Sequence, residues 1–164
     1  MKNFRYATAI PGDIDNKNIA NPMEQQTHDA VSARLKKRRI NHCIYSSRND
    51  NKSKDGRTAR PKFHVLLPLS EPLTDGKKYL GFCGWFIREF NGDPHVKGLT
   101  QKLFGFGGHP NPVILFYQDG LCIDEVLTDD DLFVNTPSPV GPPQRTATRV
   151  TSNLKLPLDK PRSR

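Results

Sequence analysis

The 164-residue chain has few cysteines and no long apolar segment. Cys43, Cys83 and Cys122 are isolated and odd in number, and none forms the C-x-x-C spacing of a zinc or redox site, so we expect buried free thiols. No apolar run approaches the roughly 18 residues that a membrane span needs, and the basic, polar N-terminus lacks the apolar stretch of a signal peptide. These absences predict a cytoplasmic protein with no membrane partner.

Two catalytic motifs are also missing. No His-x-His pair occurs, which argues against a rolling-circle nicking enzyme, because that class needs such a metal pair together with a tyrosine nucleophile. Gly105, Gly107 and Gly108 do not complete the G-x-x-x-x-G-K-[ST] pattern of a P-loop, so we assign them to backbone turns.

Positive charge is the main compositional feature that is present. The formal net charge is +8 and the pI is near 9.6, which favours polyanionic partners such as nucleic acid. One basic cluster spans residues 36–39 and also has a plain interpretation as the solvated end of a helix. The second cluster consists of Arg48, Lys52, Lys54, Arg57, Arg60 and Lys62.

An acidic pair, Asp13 and Asp15, is the most informative motif. Successive side chains of a strand alternate between its faces, so these two carboxylates would point the same way. Close like charges repel, and a divalent cation between them would remove the repulsion. Carboxylate oxygens suit Mg²⁺ or Mn²⁺. The alternative is a pair of ordinary acids beside a turn.

Three later residues could complete the same site. Lys62 and His64 fall on one face of a predicted strand, and Asp93 follows the helix-ending pair Asn91-Gly92. A strand histidine is more often structural than functional, and Asp93 could instead cap a segment at 94–103. The order of these residues nevertheless favours a metal site beside a cationic phosphate contact.

The pattern of apolar residues predicts an α/β sandwich of the α+β class, with a mixed or antiparallel sheet backed by helices. Pro11 and Gly12 predict a bend just before the acidic pair. Pro-rich, polar composition predicts a disordered basic tail over residues 136–164, after a core over 1–135. The predicted elements are strands at 5–15, 42–47 and 63–67 (ending at Pro68), helices at 24–40 and 74–90, a mobile loop at 48–61, and a hairpin of 113–117 with 121–126 around Asp119-Gly120.

Five motifs stand in a recognisable order: Gly12-Asp13-Ile14-Asp15-Asn16, Tyr45-Ser46-Ser47-Arg48-Asn49, the phrase from Arg60 to Leu69, Asp93, and Phe104-Gly105-Phe106-Gly107. In this order they resemble the archaeo-eukaryotic primase superfamily, and in particular the primase-polymerase domains of bacterial phages and plasmids. The likeness covers roughly residues 8–127. Two departures are visible: Lys62 stands where relatives usually have serine, and the additional N-terminal segment of relatives has no counterpart before Asp13.

The resemblance implies a metal-dependent, template-directed nucleotidyltransferase, a DNA primase or polymerase that replicates a phage, plasmid or related element. Asp13, Asp15 and Asp93 would hold Mg²⁺ or Mn²⁺, and His64, with Lys62 and Arg48, would grip the nucleotide. The implied partners are a single-stranded DNA template, an NTP or dNTP, and a replicative helicase. The alternative is a non-catalytic, basic nucleic-acid-binding domain derived from a primase-polymerase.

Overall fold

A four-stranded sheet and two main helices make up the part of the chain that the computed structural model describes, namely residues 4–17, 19–53, 58–97 and 109–134. The predicted tail, Lys54, Arg57 and the glycine-rich segment up to Gly108 lie outside these described residues. No helix among the described residues is long and apolar enough to cross a bilayer. In chain order the elements are β1 (Ala7–Ile14), a 3-10 turn (Pro22–Glu24), α1 (His28–Lys37), β2 (His42–Ser46), β3 (Phe63–Leu73), α2 (Gly76–Phe90), a 3-10 turn (Pro94–Lys97), β4 (Ile114–Tyr117), α3 (Ile123–Val126) and α4 (Asp129–Leu132).

The sheet is antiparallel, with strand order β1-β3-β2-β4. Because β3 lies between β1 and β2, those two strands run parallel to each other, and α1 connects them as a split β-α-β unit. In the same way, β2 lies between β3 and β4, so β3 and β4 run parallel to each other, and α2 lies in the connection between them. The prediction of a mixed α and β chain with a helix-backed sheet is confirmed at this level.

Alternation along the strands divides the sheet into an inner and an outer face. Ile10 and Ile14 of β1, Val65 of β3 and Ile44 of β2 are fully buried on the inner face. This face packs against α1 and α2, whose own buried residues include Leu35 and Phe86, and the resulting core is continuous. The intervening strand residues point to the outer face.

Local sequence signals explain where the main helices begin and end. Thr27 caps α1 by accepting a hydrogen bond from the backbone N–H of Ala30, and Asp75 caps α2 through Lys77 and Lys78. Asn91 adopts a left-handed conformation, with φ of 52°, directly after α2. The predicted helix at 74–90 is therefore confirmed, whereas the helix predicted at 24–40 is shorter and begins only at His28.

Four local predictions were wrong in whole or in part. The strand predicted to end at Pro68 continues to Leu73. Pairing of β2 with β3 extends only as far as Leu66, so on the β2 side no strand needs the N–H that Pro68 lacks. Residues 121–126 do not pair with β4: Leu121 bridges to Ile40, and α3 follows. Pro11 and Gly12 pair regularly with β3, and the irregularity of β1 lies between Ala7 and Ala9. Of the predicted buried thiols, only Cys83 is fully buried.

Candidate active site

A row of polar side chains crosses three strands on the outer face of the sheet. His64 of β3 lies directly opposite Asp13 of β1 on one side and Tyr45 of β2 on the other. The neighbours of this row in the chain, including Ile14 and Phe63, are buried in the core, so the row points away from the helices. Strand register, set by the apolar residues, therefore brings Asp13 and His64 together.

The Asp13–His64 pair has an unusual local environment. Nδ1 of His64 lies 3.2 Å from Oδ1 of Asp13, yet neither buried atom has a hydrogen-bond partner among the described residues. The ring of Tyr45 covers His64 at a centroid distance of 5.3 Å, and burial raises the pKa of the Tyr45 hydroxyl. Buried polar atoms are nearly always hydrogen-bonded, and an exception commonly marks a place where a water or an ion binds.

Asp15 is surrounded by cations at the end of β1. Arg60 donates to Oδ1 of Asp15 at 2.8 Å through Nη2, and Nζ of Lys62 donates to Oδ2 at 2.9 Å. Burial works to raise the pKa of Asp15, but the hydrogen bonds and charges of Lys62 and Arg60 outweigh it and hold this pKa below its ordinary value. Asp15 is therefore a carboxylate whose charge is already neutralised.

Asp93 is attached to the same end of β1 through the backbone. Its N–H donates to the carbonyl oxygen of Asp13 at 2.8 Å. Its Oδ1 accepts from the backbone N–H of His95 at 3.0 Å, and its Oδ2 lies 3.1 Å from Nζ of Lys17. Burial works to raise the pKa of Asp93, but the His95 N–H and the Lys17 ammonium outweigh it and lower this pKa. Asp93 thus caps the turn that follows it, as one interpretation of the sequence expected, and it also forms an ion pair with Lys17 that the sequence did not predict.

A left-handed turn at Asn16, with φ of 53°, directs the chain after Asp15. The Asn16 side chain fixes this turn by donating to the carbonyl oxygens of Gln26 and Pro61 and by accepting from the N–H of Gln26. A cavity of about 70 Å³ lies beside the turn, and its walls include Asp15, Lys17 and Asp93. This space is large enough for ordered water.

The predicted metal ligands lie on neighbouring segments, since the Asp93 N–H bonds to the Asp13 carbonyl oxygen, but their described side chains do not form a cation site. Within the ranges that the structure describes, no three His, Cys, Asp or Glu side chains form a group that could hold a metal ion. The donor chemistry fits Mg²⁺ or Mn²⁺, because carboxylate oxygens are hard ligands and Oδ1 of Asp13 accepts no hydrogen bond from the described residues, although Nδ1 of His64 lies 3.2 Å away. Asp15 and Asp93 would first have to release their lysine partners. Metal binding by these three acids stays a prediction.

Arg48 is exposed after β2, and among the described residues no hydrogen bond or ion pair joins its side chain to the other predicted site residues. Lys62, in contrast, is held in place at both ends. Its backbone N–H donates to Oδ1 of the buried Asp50 at 2.8 Å, while its ammonium group reaches Asp15. The nucleotide-binding roles of Arg48 and Lys62 stay predictions, and the structure brings only Lys62 to the acids.

Four residues near the site were missed as site residues from the sequence: Lys17, Tyr45, Asp50 and Arg60. Strand register offers a signal for two of them, because pairing Asp13 with His64 places Tyr45 across from the same histidine and brings the Arg60–Lys62 segment to Asp15. Lys17 and Asp50 depend on turns whose geometry has no comparable pattern. Asp50 belongs to a buried network with His28 and Ser46.

The basic cluster at 36–39 forms the exposed end of α1. Its members are partly engaged within the chain: the Arg38 guanidinium lies over Trp85 and pairs with Glu89 at 3.2 Å, and Lys36 lies 5.7 Å from the centre of the Tyr117 ring. The solvated-helix-end interpretation therefore accounts for much of this cluster.

The chain matches no protein-family model, no curated protein and no solved structure. The primase resemblance thus depends on the motifs and their order alone.

Proposed function

We propose that the chain is a metal-dependent, template-directed nucleotidyltransferase, a DNA primase or polymerase acting in replication of a phage, plasmid or related element. The observation that supports this most is the Asp13–His64 pair, whose facing atoms are buried and lack hydrogen-bond partners among the described residues. Asp15 and Asp93 flank this pair, and three cationic side chains stand beside them. An acidic centre ringed by cations suits a triphosphate and its metal.

Asp13, Asp15 and Asp93 would hold Mg²⁺ or Mn²⁺. When bound, the cation supplies charge neutralisation at the triphosphate and lowers the pKa of the attacking 3′ hydroxyl. The chain's own residues would bind and orient the nucleotide. Lys62, released from Asp15, is a cation for phosphate oxygens, and His64 is a second contact on the same strand face. Arg60 keeps Asp15 ionised because it stays paired with Oδ1.

A DNA template would contact the protein through phosphates, since the exposed cations lie in the loop after β2 and at the end of α1. Contacts of this kind give little sequence preference and a strong dependence on salt. Arg48 and Lys37 are both exposed and are available for that role.

The test of the activity combines single-stranded DNA templates, with and without a primer, with labelled NTPs or dNTPs and with Mg²⁺ or Mn²⁺. We expect incorporation by the wild type and a loss of at least about a hundredfold in Asp13→Ala and His64→Ala, because several kcal/mol of transition-state stabilisation would disappear. Asp129→Ala removes an acid that is exposed and pairs with Lys78, so it serves as the matched control. Circular dichroism checks folding. An absence of product under all of these conditions refutes the proposal.

A second candidate, a basic nucleic-acid-binding domain without catalysis, is favoured by one specific observation. Asp15 and Asp93 already have lysine or arginine partners, so the described structure balances these charges without a metal. This candidate predicts that single-stranded DNA binds equally well with and without EDTA, in a chain that incorporates no nucleotide. Fluorescence anisotropy with a labelled oligonucleotide measures that binding.

A further inference from the structure

We propose that Lys17 is a built-in counter-cation, which neutralises Asp93 in the metal-free protein and competes with the divalent cation for that carboxylate. The inference rests on the proposed metal-dependent function and adds a residue that no sequence motif assigned. It concerns how tightly the site holds its cation, because a competing ammonium must leave before the metal can use Asp93.

The geometry of Lys17 supports a direct competition. Its Nζ lies 3.1 Å from Oδ2 of Asp93, the carboxylate oxygen that does not cap the following turn. The Asp93 side chain is only 10% exposed, so its charge needs a partner, whereas Lys17 is 35% exposed and its long side chain can move into solvent. The ion pair is thus easier to open from the lysine side.

The balance of charge around the site supports the same conclusion. Lys17 pairs with Asp93, and Arg60 and Lys62 pair with Asp15, while Asp13 lies beside His64. This region therefore holds three carboxylates and three lysine or arginine side chains. Adding a divalent cation to this balanced set would leave excess positive charge in a partly buried place, unless an ammonium group leaves. Asp15 would keep Arg60 even if Lys62 departed, whereas Lys17 is the one cation paired with Asp93 among the described residues.

The turn that carries Lys17 also places it beside free space. Asn16, fixed by its side-chain hydrogen bonds to Gln26 and Pro61, holds Lys17 at the wall of the 70 Å³ cavity that Asp15 and Asp93 also line. A hydrated ion entering this cavity would meet the ammonium group and the Asp93 carboxylate together. The cation would therefore replace Lys17 instead of adding to it.

The test measures Mn²⁺ affinity without nucleotide or DNA, from the electron paramagnetic resonance signal of free Mn²⁺. We expect Lys17→Met to bind Mn²⁺ about three to ten times more tightly than the wild type, because a partly exposed competing ion pair is removed. Lys17→Arg keeps the charge and should not show the gain. Lys78→Met is the matched control, because it removes a lysine paired with a distant aspartate.

The double variant Lys17→Met/Asp93→Asn locates the effect, since the gain should vanish when the contested carboxylate is absent. A purely structural role for Lys17 predicts unchanged or weaker Mn²⁺ binding in Lys17→Met, and either result would overturn the inference while leaving the proposed function intact. An absence of Mn²⁺ binding in both wild type and Lys17→Met at millimolar concentration also overturns the inference, and the incorporation assay then decides the proposed function separately.

Discussion

Asp50 is a buried carboxylate, and the structure gives a specific prediction for the stability that is lost when it is replaced. It is 2% exposed and belongs to the loop that joins β2 to β3. Its Oδ2 accepts from the Ser46 hydroxyl at 2.7 Å and lies 3.2 Å from Nε2 of His28, and its Oδ1 accepts from the backbone N–H of Lys62 at 2.8 Å. One side chain thus connects α1, the end of β2 and the start of β3.

Replacing Asp50 with alanine leaves three buried polar groups without their partner. Each unsatisfied group costs about 1–3 kcal/mol. The individual costs do not add fully, because Ser46 Oγ and His28 Nε2 are already 3.4 Å apart and can pair with each other. We therefore expect Asp50→Ala to lower the free energy of unfolding by about 3–5 kcal/mol, and the isosteric Asp50→Asn by about 1–3 kcal/mol.

Urea denaturation followed by circular dichroism measures these losses, provided that the slope with urea is unchanged between variants. Asp124→Ala is the matched control, because Asp124 also accepts two hydrogen bonds from Ser70 but lies in a more exposed place. Its loss should be about 1 kcal/mol. A loss below about 1 kcal/mol for Asp50→Ala would refute the view that this network is a buried, fully formed connection.

Two further predictions concern the strand that carries the acids. A Cβ at Gly12 would lie well inside 3.0 Å of the Phe86 ring, so Gly12→Ala should lower the free energy of unfolding by about 1–3 kcal/mol. Gly84 has room for a Cβ in the interior of α2, so Gly84→Ala should raise this free energy by about 0.5–1 kcal/mol. Urea denaturation measures both, and equal effects would contradict the packing argument. The second prediction concerns stability in acid. Burial works to raise the pKa of Asp15, but Lys62 and Arg60 outweigh it and lower this pKa. The ion pairs of Asp15 therefore contribute stability above the ordinary aspartate pKa of about 3.9, and this contribution is lost as the pH falls through the lower pKa of the folded protein. Asp15→Asn should therefore lose less stability than the wild type between about pH 5 and pH 2 in thermal unfolding, and parallel curves would show that these ion pairs contribute nothing.

Alternation of side chains was the most reliable signal in the sequence, because it depends only on the geometry of a single strand. It predicted that Lys62 and His64 share a face and that this face would meet Asp13 and Asp15. The cap of α2 at Asp75 and its end at Asn91 were equally predictable, since each depends on one local side chain or one backbone conformation.

Features that depend on neighbouring strands were harder to predict. Pro68 ends a strand only if a neighbour needs its N–H, and the limited length of β2 removes that need. Asp119-Gly120 is a strong local hairpin signal, but the Gly120 N–H bonds to the Asn41 side chain and Leu121 bonds to Arg39, which redirects the chain. The ion pair of Lys17 with Asp93 joins residues 76 positions apart, a separation at which sequence patterns carry little information.

The link between Asp93 and β1 involves main-chain atoms only, the N–H of one residue and the carbonyl oxygen of Asp13. Any residue except proline could make it. A descendant of this protein could therefore exchange the carboxylate at 93 for an uncharged side chain and still hold the segment against the sheet. The proposed metal role of this position and its hold on the sheet are therefore separable in such a lineage, and copies that keep the fold without the carboxylate are an expected product of divergence.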